Sequence, residues 1–356
     1  MQVEFVRSLA EMEKLSDEWN DLFQNAIYRS LYGEPGFCLN WLEHFGKNAR
    51  YAPTEYSEDD QTARPVVIVG RNAGRLDLLM PLKVNPLRFL RTRSHSINKL
   101  VYSLGLCQLT GLVNSHTYTT NVLIRRGSEE FALKAISYAI PRLPWHSLYL
   151  GAVPTDSPLF GILEEALAPF TVPQSKKEES SVVLDFHGSF QAYLEGRDKL
   201  RQDVLRARGR LERHFGPSKL EWWKGPEAVE IGFPAFVEVD SQSWKAATPG
   251  GEALMHAPLP HKYYAGLVKR FAANNTAHVF ALRLNGTLAA ACLNFESNGV
   301  LYTYKTSYKD MFACKSCRPG AVLMYSVIEH AWPVFAGLDF MVSGSHDIGR
   351  ERIFHS

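Results

Sequence analysis

Three glycine signatures are missing from this chain of 356 residues. There is no Gly-x-x-x-x-Gly-Lys-Ser/Thr loop, no Gly-x-Gly-x-x-Gly fingerprint and no Gly-x-Ser-x-Gly elbow. Readings as an NTPase, a Rossmann dehydrogenase or an α/β-hydrolase lose their main support with them. Long apolar runs are missing too, so no membrane span is expected. The start, Met1-Gln2-Val3-Glu4-Phe5-Val6, has no basic head followed by an apolar stretch, so no signal peptide is expected. An excess of one charge is also lacking. The net charge is +2, and no whole-chain field argues for DNA or other nucleic acid.

Cysteine is scarce. The five residues Cys38, Cys107, Cys292, Cys314 and Cys317 are odd in number and scattered, which suits a reducing cytoplasm. Cys314-Lys315-Ser316-Cys317 is a lone Cys-x-x-Cys. A structural zinc site needs about four ligands. No second pair exists, and His256 and His261 have no special spacing to it, so no metal is expected. A redox role would want the motif at the start of a helix in a thioredoxin-like unit.

What is present begins with size. The length favours two domains, and a hydrophobic fraction of 46% supplies a large core. The polar stretch Pro173–Ser181 is the natural linker, giving domains at 1–172 and 182–356. In the first domain, Met1–Val6 reads as a strand, and Ser8 with Glu11 forms a capping-box pattern before a helix carrying Leu15, Trp19, Leu22 and Phe23. A second helix is expected at Phe37–Phe45. A polar loop follows at Tyr51–Arg64, then a hairpin of Pro65–Val69 and Leu76–Val84, and a basic irregular stretch at Pro86–Asn98. A strand at Leu100–Leu104, a helix at Phe131–Ile140 and a strand at Ser147–Gly151 complete the domain.

The second domain opens with a strand at Val182–Phe186 and a long helical segment, Phe190–Phe215, broken by Gly196 and Gly209. Further helices are expected at Phe233–Val239 and Lys262–Ala273. The most informative tract then runs from Ala277 to Gly344. Strands Ala277–Leu284 and Leu288–Phe295 flank Asn285-Gly286, a strong hairpin signal. A third strand, Leu301–Tyr308, leads through Arg318-Pro319-Gly320 into an apolar helix, Ala321–Phe335, and a last strand, Leu338–Ser343. A strand feeding a Gly-containing loop at a helix N-terminus is a place to hold phosphate, because unpaired N–H groups point out there. The hairpin–strand–helix–strand order occurs in both halves, which suggests duplication of one α/β unit.

Two other constellations stand out. Arg197, Lys199, Arg201, Arg206, Arg208, Arg210 and Arg213 crowd one helix. They form either a surface for a polyanion or a solvated face with Leu200, Val204, Leu205 and Leu211 packed below. Trp244-Lys245, before the turn Thr248-Pro249-Gly250-Gly251, either lines an acceptor pocket or is a core tryptophan beside an exposed lysine. His346 and Asp347 supply a possible base and a carboxylate just after the last strand, where ligands gather in open α/β sheets.

In sequence order these pieces resemble a known family. They are Lys199-Leu200-Arg201, Ser243-Trp244-Lys245, Arg283-Leu284-Asn285-Gly286, Tyr304-Lys305-Thr306 with Tyr308, Arg318-Pro319-Gly320, and Asp339-Phe340 with Gly344. The second half resembles the GNAT acyltransferase superfamily. More narrowly it is similar to the cellulose-biosynthesis-type acetyltransferases, relatives of the Fem peptidoglycan aminoacyltransferases. The resemblance implies an α/β fold (α+β, mixed sheet) of tandem GNAT-like domains, each a twisted mixed sheet flanked by helices. It implies acyl transfer to an amine acceptor from acyl-CoA or an acyl carrier protein thioester, a co-substrate rather than a permanently bound cofactor. Aminoacyl-tRNA is the alternative donor, and a GNAT-fold binding protein without catalysis is the other alternative. Donor phosphate would meet Arg318, Pro319 and Gly320, and the reacting carbonyl would lie near Tyr304 and Lys305. Trp244 and Lys245 would serve the acceptor, and His346 or Asp347 the proton. Arg-Pro-Gly stands where the family usually has Ser-Pro-Gly, and its fuller glycine-rich pyrophosphate loop is absent.

Overall fold

The computed structural model describes residues 1–46, 64–86, 106–112, 117, 119–154, 157–172, 182–248, 253–314 and 316–340. The chain divides into two compact units, Met1–Glu178 and Glu179–Ser356. Of the sequence expectations, the loop at Tyr51–Arg64 up to residue 63, the basic stretch from residue 87, the strand at Leu100–Leu104, the linker at Pro173–Ser181 and the stretch from 341 lie outside the described residues.

In the first unit, β1 (Gln2–Val6) leads into α1 (Leu9–Glu13) and α2 (Ser16–Gln24). The capping box forms as the sequence predicts. Ser8 Oγ accepts from the Glu11 amide at 3.3 Å, and the Glu11 carboxylate accepts from the Ser8 amide at 3.4 Å. The expected single helix is split between Glu13 and Ser16, yet Trp19, Leu22 and Phe23 are still buried together. Then come α3 (Pro35–Phe45), β2 (Arg64–Asn72), β3 (Arg75–Pro86), β4 (Cys107–Gly111), β5 (Leu123–Ile124), α4 (Glu129–Ala139), β6 (Ser147–Tyr149) and α5 (Pro158–Leu167). The helix α5 had no counterpart in the sequence reading. The sheet order is β1-β2-β3-β4-β6, antiparallel except for the parallel β4–β6 pair, with β5 attached to β3. One face packs Val66, Ile68, Leu78 and Met80 against Ala132, Ile136 and Leu163 of α4 and α5.

The second unit holds β7 (Val182–Asp185), α6 (Phe190–Leu194), α7 (Asp198–Phe215), β8 (Ser218–Lys224), α8 (Phe233–Ser241), α9 (Trp244–Ala247), α10 (Pro258–Ala272), β9 (Ala277–Leu284), β10 (Thr287–Ser297), β11 (Val300–Tyr308), α11 (Pro319–Ala331) and β12 (Gly337–Phe340). Its sheet runs β7-β12-β11-β10-β9-β8, with β11 and β12 the parallel pair. Helices α7 and α11 cover one face through Leu200, Val204, Leu211 and Val322, packed on Phe280, Leu282 and Leu338. Helices α8 and α10 lie on the other face, where Phe236, Val239, Tyr263 and Leu267 are buried.

The arginine segment corrects one expectation about its breaks. Gly196, at φ +76°, does interrupt it, but Gly209 sits inside a continuous α7. A mid-helix glycine costs only about 1 kcal/mol relative to alanine. Burial of Leu200, Val204, Ala207 and Leu211 along one stripe outweighs that. Leu205, expected below the helix, is exposed instead, because it falls off the stripe. Strand β8 was also unread: its Trp222 and Trp223 sit in an edge strand without clean alternation. Helix α11 ends at Ala331 rather than at Phe335.

Both units therefore share one topology. Four antiparallel strands are followed by a helix and a strand parallel to the fourth. The mixed sheets flanked by helices are the tandem arrangement that the resemblance implied.

Candidate functional site

The site begins with a fault in strand register. Strand β11 pairs with β10 through Leu293↔Lys305 and then Asn294↔Thr303, so Tyr304 is an extra residue in β11. Such a bulge switches which face later residues occupy. Leu301 lies in the core under α11, and Tyr308, seven residues on, packs against the same core. On a regular strand an odd separation would send them to opposite faces. The bulge therefore lets the consecutive side chains of Tyr304 and Lys305 share the α10 face. The Tyr304 and Tyr263 hydroxyls are 3.0 Å apart, the Tyr304 and Tyr264 rings lie edge-on at 5.7 Å, and the Lys305 ammonium stands 5.4 Å from the Tyr264 ring centroid. On its other side β11 pairs with β12 from Val300↔Gly337 to Thr303↔Phe340, the last described pair. The bulge begins one residue beyond it.

Trp244 and Lys245 open the short helix α9 after buried Ser243. The Lys245 Nζ donates to the Thr306 carbonyl at 2.7 Å, which ties α9 to β11 beside Tyr304 and Lys305. Trp244 is 51% exposed. This inverts the simple expectation of a core tryptophan with an exposed lysine: the lysine is part-buried and anchored, and the indole faces outward. Of the turn that follows, Pro249, Gly250 and Gly251 lie outside the described residues.

The far end of β11 meets the start of α11. Pro319 occupies the first helical position, where its missing N–H and fixed φ are suited. Arg318 is the N-cap in the left-handed region, at φ +49°, and no side chain caps the helix. The Arg318 carbonyl accepts from the amides of Ala321 and Val322. Neither Arg318 nor Gly320 donates a backbone N–H bond among the described residues. A Cβ on Gly320 would stand 3.6 Å from the Tyr308 ring, an ordinary contact, so glycine is not demanded there by crowding. The Arg318 side chain is exposed.

Sequence reading treated the arginines of α7 as one group; the fold separates them. Arg208 Nη2 donates to Ser326 Oγ on α11 at 2.7 Å, and its guanidinium lies 5.8 Å from the Tyr325 ring. Arg210 Nη1 donates to the Ser316 carbonyl at 3.3 Å, in the loop that precedes α11. Lys199, Arg201, Arg206 and Arg213 remain exposed. Cys314 and Cys317 in that loop stand side by side, their Cα atoms 5.2 Å apart. Among the described residues no cluster of His, Cys, Asp and Glu could hold a metal ion.

One carboxyl, quoted with Phe340 in the family resemblance, was given no role there. Asp339 stands opposite Tyr302 in the β11–β12 register, between Leu338 and Phe340, which both point into the α7–α11 core. Its side chain therefore projects to the face that carries Tyr302 and Tyr304. Among the described residues its Oδ1 is buried without a hydrogen-bond partner, and burial pushes the carboxyl up to about 7. A signal that could have marked it is its place in an apolar strand, Leu338-Asp339-Phe340. His346 and Asp347, the sequence candidates for the base, lie outside the described residues.

The first unit offers a comparison for this helix terminus. Its topological counterpart of α11 is α4, between β4 and β6. There Ser128 Oγ, at the N-cap, donates to the Asp77 carboxylate at 2.8 Å, and Glu129 Oε1 accepts from the Gly127 amide at 3.0 Å. These carboxylates hold the segment that leads into α4 rather than its helical N–H groups: like α11, α4 has no side-chain cap.

Residues 198–347 match the profile of the Acetyltransferase (GNAT) domain. No curated protein matches the chain in sequence. Among solved structures, FemX is similar with a TM-score of 0.55 at 10% identity, over 99% of this chain and 92% of that one. The tandem GNAT protein from the clavulanic acid biosynthesis pathway matches at TM-score 0.41 and 14% identity, over 99% and 94%. The C-terminal domain (DUF2156) of a putative lysylphosphatidylglycerol synthetase from Agrobacterium fabrum matches at TM-score 0.48 and 12% identity, over 98% and 83%.

Proposed function

We propose that this chain, whose C-terminal unit belongs to the GNAT acyltransferase superfamily, moves an acyl group from a thioester donor to an amine acceptor by direct attack. One observation carries the reading. A single strand, β11, has a bulge at Tyr304 beside the last described β12 pair, and an uncapped helix terminus at its far end. The step from Tyr304 to Tyr308 spans about 13 Å of extended chain. A donor whose anionic group is joined to its reactive carbonyl by a long arm fits that separation. Acyl-CoA and the phosphopantetheine thioester of an acyl carrier protein both have that form.

In this reading Arg318 and the Gly320 amide bind donor phosphate at the positive end of α11. The donor carbonyl lies by Tyr304 and Lys305, where a hydroxyl and an ammonium polarise it as negative charge develops on oxygen. The acceptor amine attacks the carbonyl carbon. A C–N bond forms, the C–S bond breaks, and the sulfur departs to become the thiol. The proton lost by the amine passes to a base and from it to the departing thiolate, which regenerates the base. His346 and Asp347 are the sequence candidates, and Asp339 is a third, since its range lies where a general base works best. Trp244, exposed next to the anchored Lys245, contributes an acceptor-facing indole.

The test combines donor binding and turnover. Calorimetry with acetyl-CoA, longer acyl-CoAs and acyl carrier protein thioesters should find a donor, and Arg318→Ala should weaken it about tenfold or more. Tyr304→Phe should lower turnover while leaving donor affinity within about twofold. Unchanged affinity in Arg318→Ala rejects the phosphate assignment. Absence of transfer and hydrolysis with every donor, from folded protein, favours a non-catalytic GNAT-fold binding protein.

A second reading takes aminoacyl-tRNA as donor. The observation in its favour is the exposed row of Lys199, Arg201, Arg206 and Arg213 on α7, in a chain with the fold of FemX. Binding that falls steeply with added salt would support it, because each neutralised phosphate releases a counterion. A flat response counts against it.

A further inference from the structure

The first unit contains a cavity that the reading above does not use. It measures about 350 Å³ and is bordered by the end of α2, the start of β3 and the segment after β5. Four arginines line it: Arg29, Arg75, Arg125 and Arg126. Two are neutralised, the buried Arg125 and the exposed Arg75. Arg75 Nε and Arg125 Nε donate to the same Asp77 oxygen at 2.7 and 2.9 Å, and Arg125 Nη2 also reaches Asp21 at 2.5 Å. Arg29 and Arg126 are not. Arg29 makes one contact, 3.5 Å to the amide oxygen of Gln24, and Arg126 has no carboxylate partner among the described residues. Four guanidinium groups against Asp21 and Asp77 leave two positive charges facing one concavity.

The C-terminus of α2 brings its negative end to the same place, which would oppose an anion. That end is largely satisfied, however. The Asn25 amide bonds the Asp21 and Leu22 carbonyls, and the Asn25 side chain bonds the Asp21 carbonyl at 2.8 Å. The Arg126 amide donates to the Asn25 carbonyl at 3.0 Å, which holds Arg126 at the cavity edge. Arg125 is itself 7% exposed, so the cavity floor is a rigid, ion-paired base.

We infer that this cavity is a second anion site, which takes the phosphate or pyrophosphate group of a small molecule between Arg29 and Arg126. The planar guanidinium groups suit bidentate contact with such oxygens. At about 350 Å³ the space admits a group of pyrophosphate size with room for more of the ligand beside it. The site lies wholly in the first unit and is separate from the proposed donor contacts.

Inorganic pyrophosphate is the probe. It is titrated at constant ionic strength into the full chain carrying Arg318→Ala, which removes the proposed donor contact. Saturable binding by calorimetry and a rise in unfolding temperature are expected. Arg29→Gln/Arg126→Gln in that background should weaken binding about tenfold or more, and Arg29→Lys/Arg126→Lys should retain much of it. Both side chains are exposed, so the glutamine pair should unfold at the parental temperature without ligand. Binding unchanged in the glutamine pair, or no saturable binding in the Arg318→Ala chain, overturns the inference. The donor reading fails separately, through unchanged donor affinity in Arg318→Ala alone.

Discussion

Replacing Asp339 with asparagine should make the protein more stable in mild alkali. Burial raises the Asp339 carboxyl from 3.8 to about 7, so the folded state holds its proton more tightly than the unfolded chain. The stabilising effect of that proton is whole below the unfolded value of 3.8. It declines as pH rises, and is gone once pH passes the folded value near 7. At about 1.4 kcal/mol per unit, the full loss is about 4 kcal/mol, and the part falling above pH 5.5 is about 2 kcal/mol. Asparagine has nearly the shape of the protonated acid and cannot ionise. Asp339→Asn should therefore gain about 2 kcal/mol over the parent between pH 5.5 and 8.5, or about 4–8 °C in unfolding temperature for a unit of this size. Parallel urea titrations at the two pH values measure it. If the parent and Asp339→Asn change in step with pH, the buried, unpartnered state of this carboxyl is wrong.

Other outcomes follow from the same structure. Arg125→Ala should destabilise the first unit by about 3–5 kcal/mol, because it leaves buried Asp77 short of a cation; urea unfolding reads this directly. Asp77 is penalised by burial, but bonds from Arg75, Ser128 and Arg125 outweigh that and hold it below the usual carboxylate range. Its contribution is therefore present above pH 4 and is lost as pH falls through its lowered value; Asp77→Asn should flatten that acid limb of the unfolding curve. Trp19→Ala should cost about 3–5 kcal/mol, since a fully buried indole and its 3.0 Å bond to the Gly33 carbonyl are both lost. Lys245→Met should raise the acceptor KM and loosen α9, seen as faster amide exchange at Thr248, because the 2.7 Å tie to Thr306 is removed.

Local chemistry made much of this protein legible in its sequence. The capping box at Ser8 and Glu11, the turn at Asn285-Gly286 and the Arg318-Pro319 helix start depend on neighbours a few residues apart, and each formed as expected. The apolar periodicity of β9, β10, β11 and α11 was equally plain, because buried strands and helices need it wherever they pack. Gly196 was readable as a break because its positive φ is a local property. Gly209 was not readable as helical, because only the packed stripe on α7 keeps it so.

Tertiary structure decided the rest. The bulge at Tyr304 exists only in the pairing with β10, since register belongs to two strands and not to one. No sequence pattern showed that Tyr304 and Lys305 would face the same tyrosines. The anchoring of Lys245, the division of the arginines between α11 and solvent, and the burial of Asp339 each depend on residues far away in sequence. The four arginines of the first-unit cavity come from three separate segments and had no shared signature in the chain. Propensity and spacing act over a few residues, and they determined the elements. Desolvation and charge pairing act through space, and they determined which side chains the elements bring together.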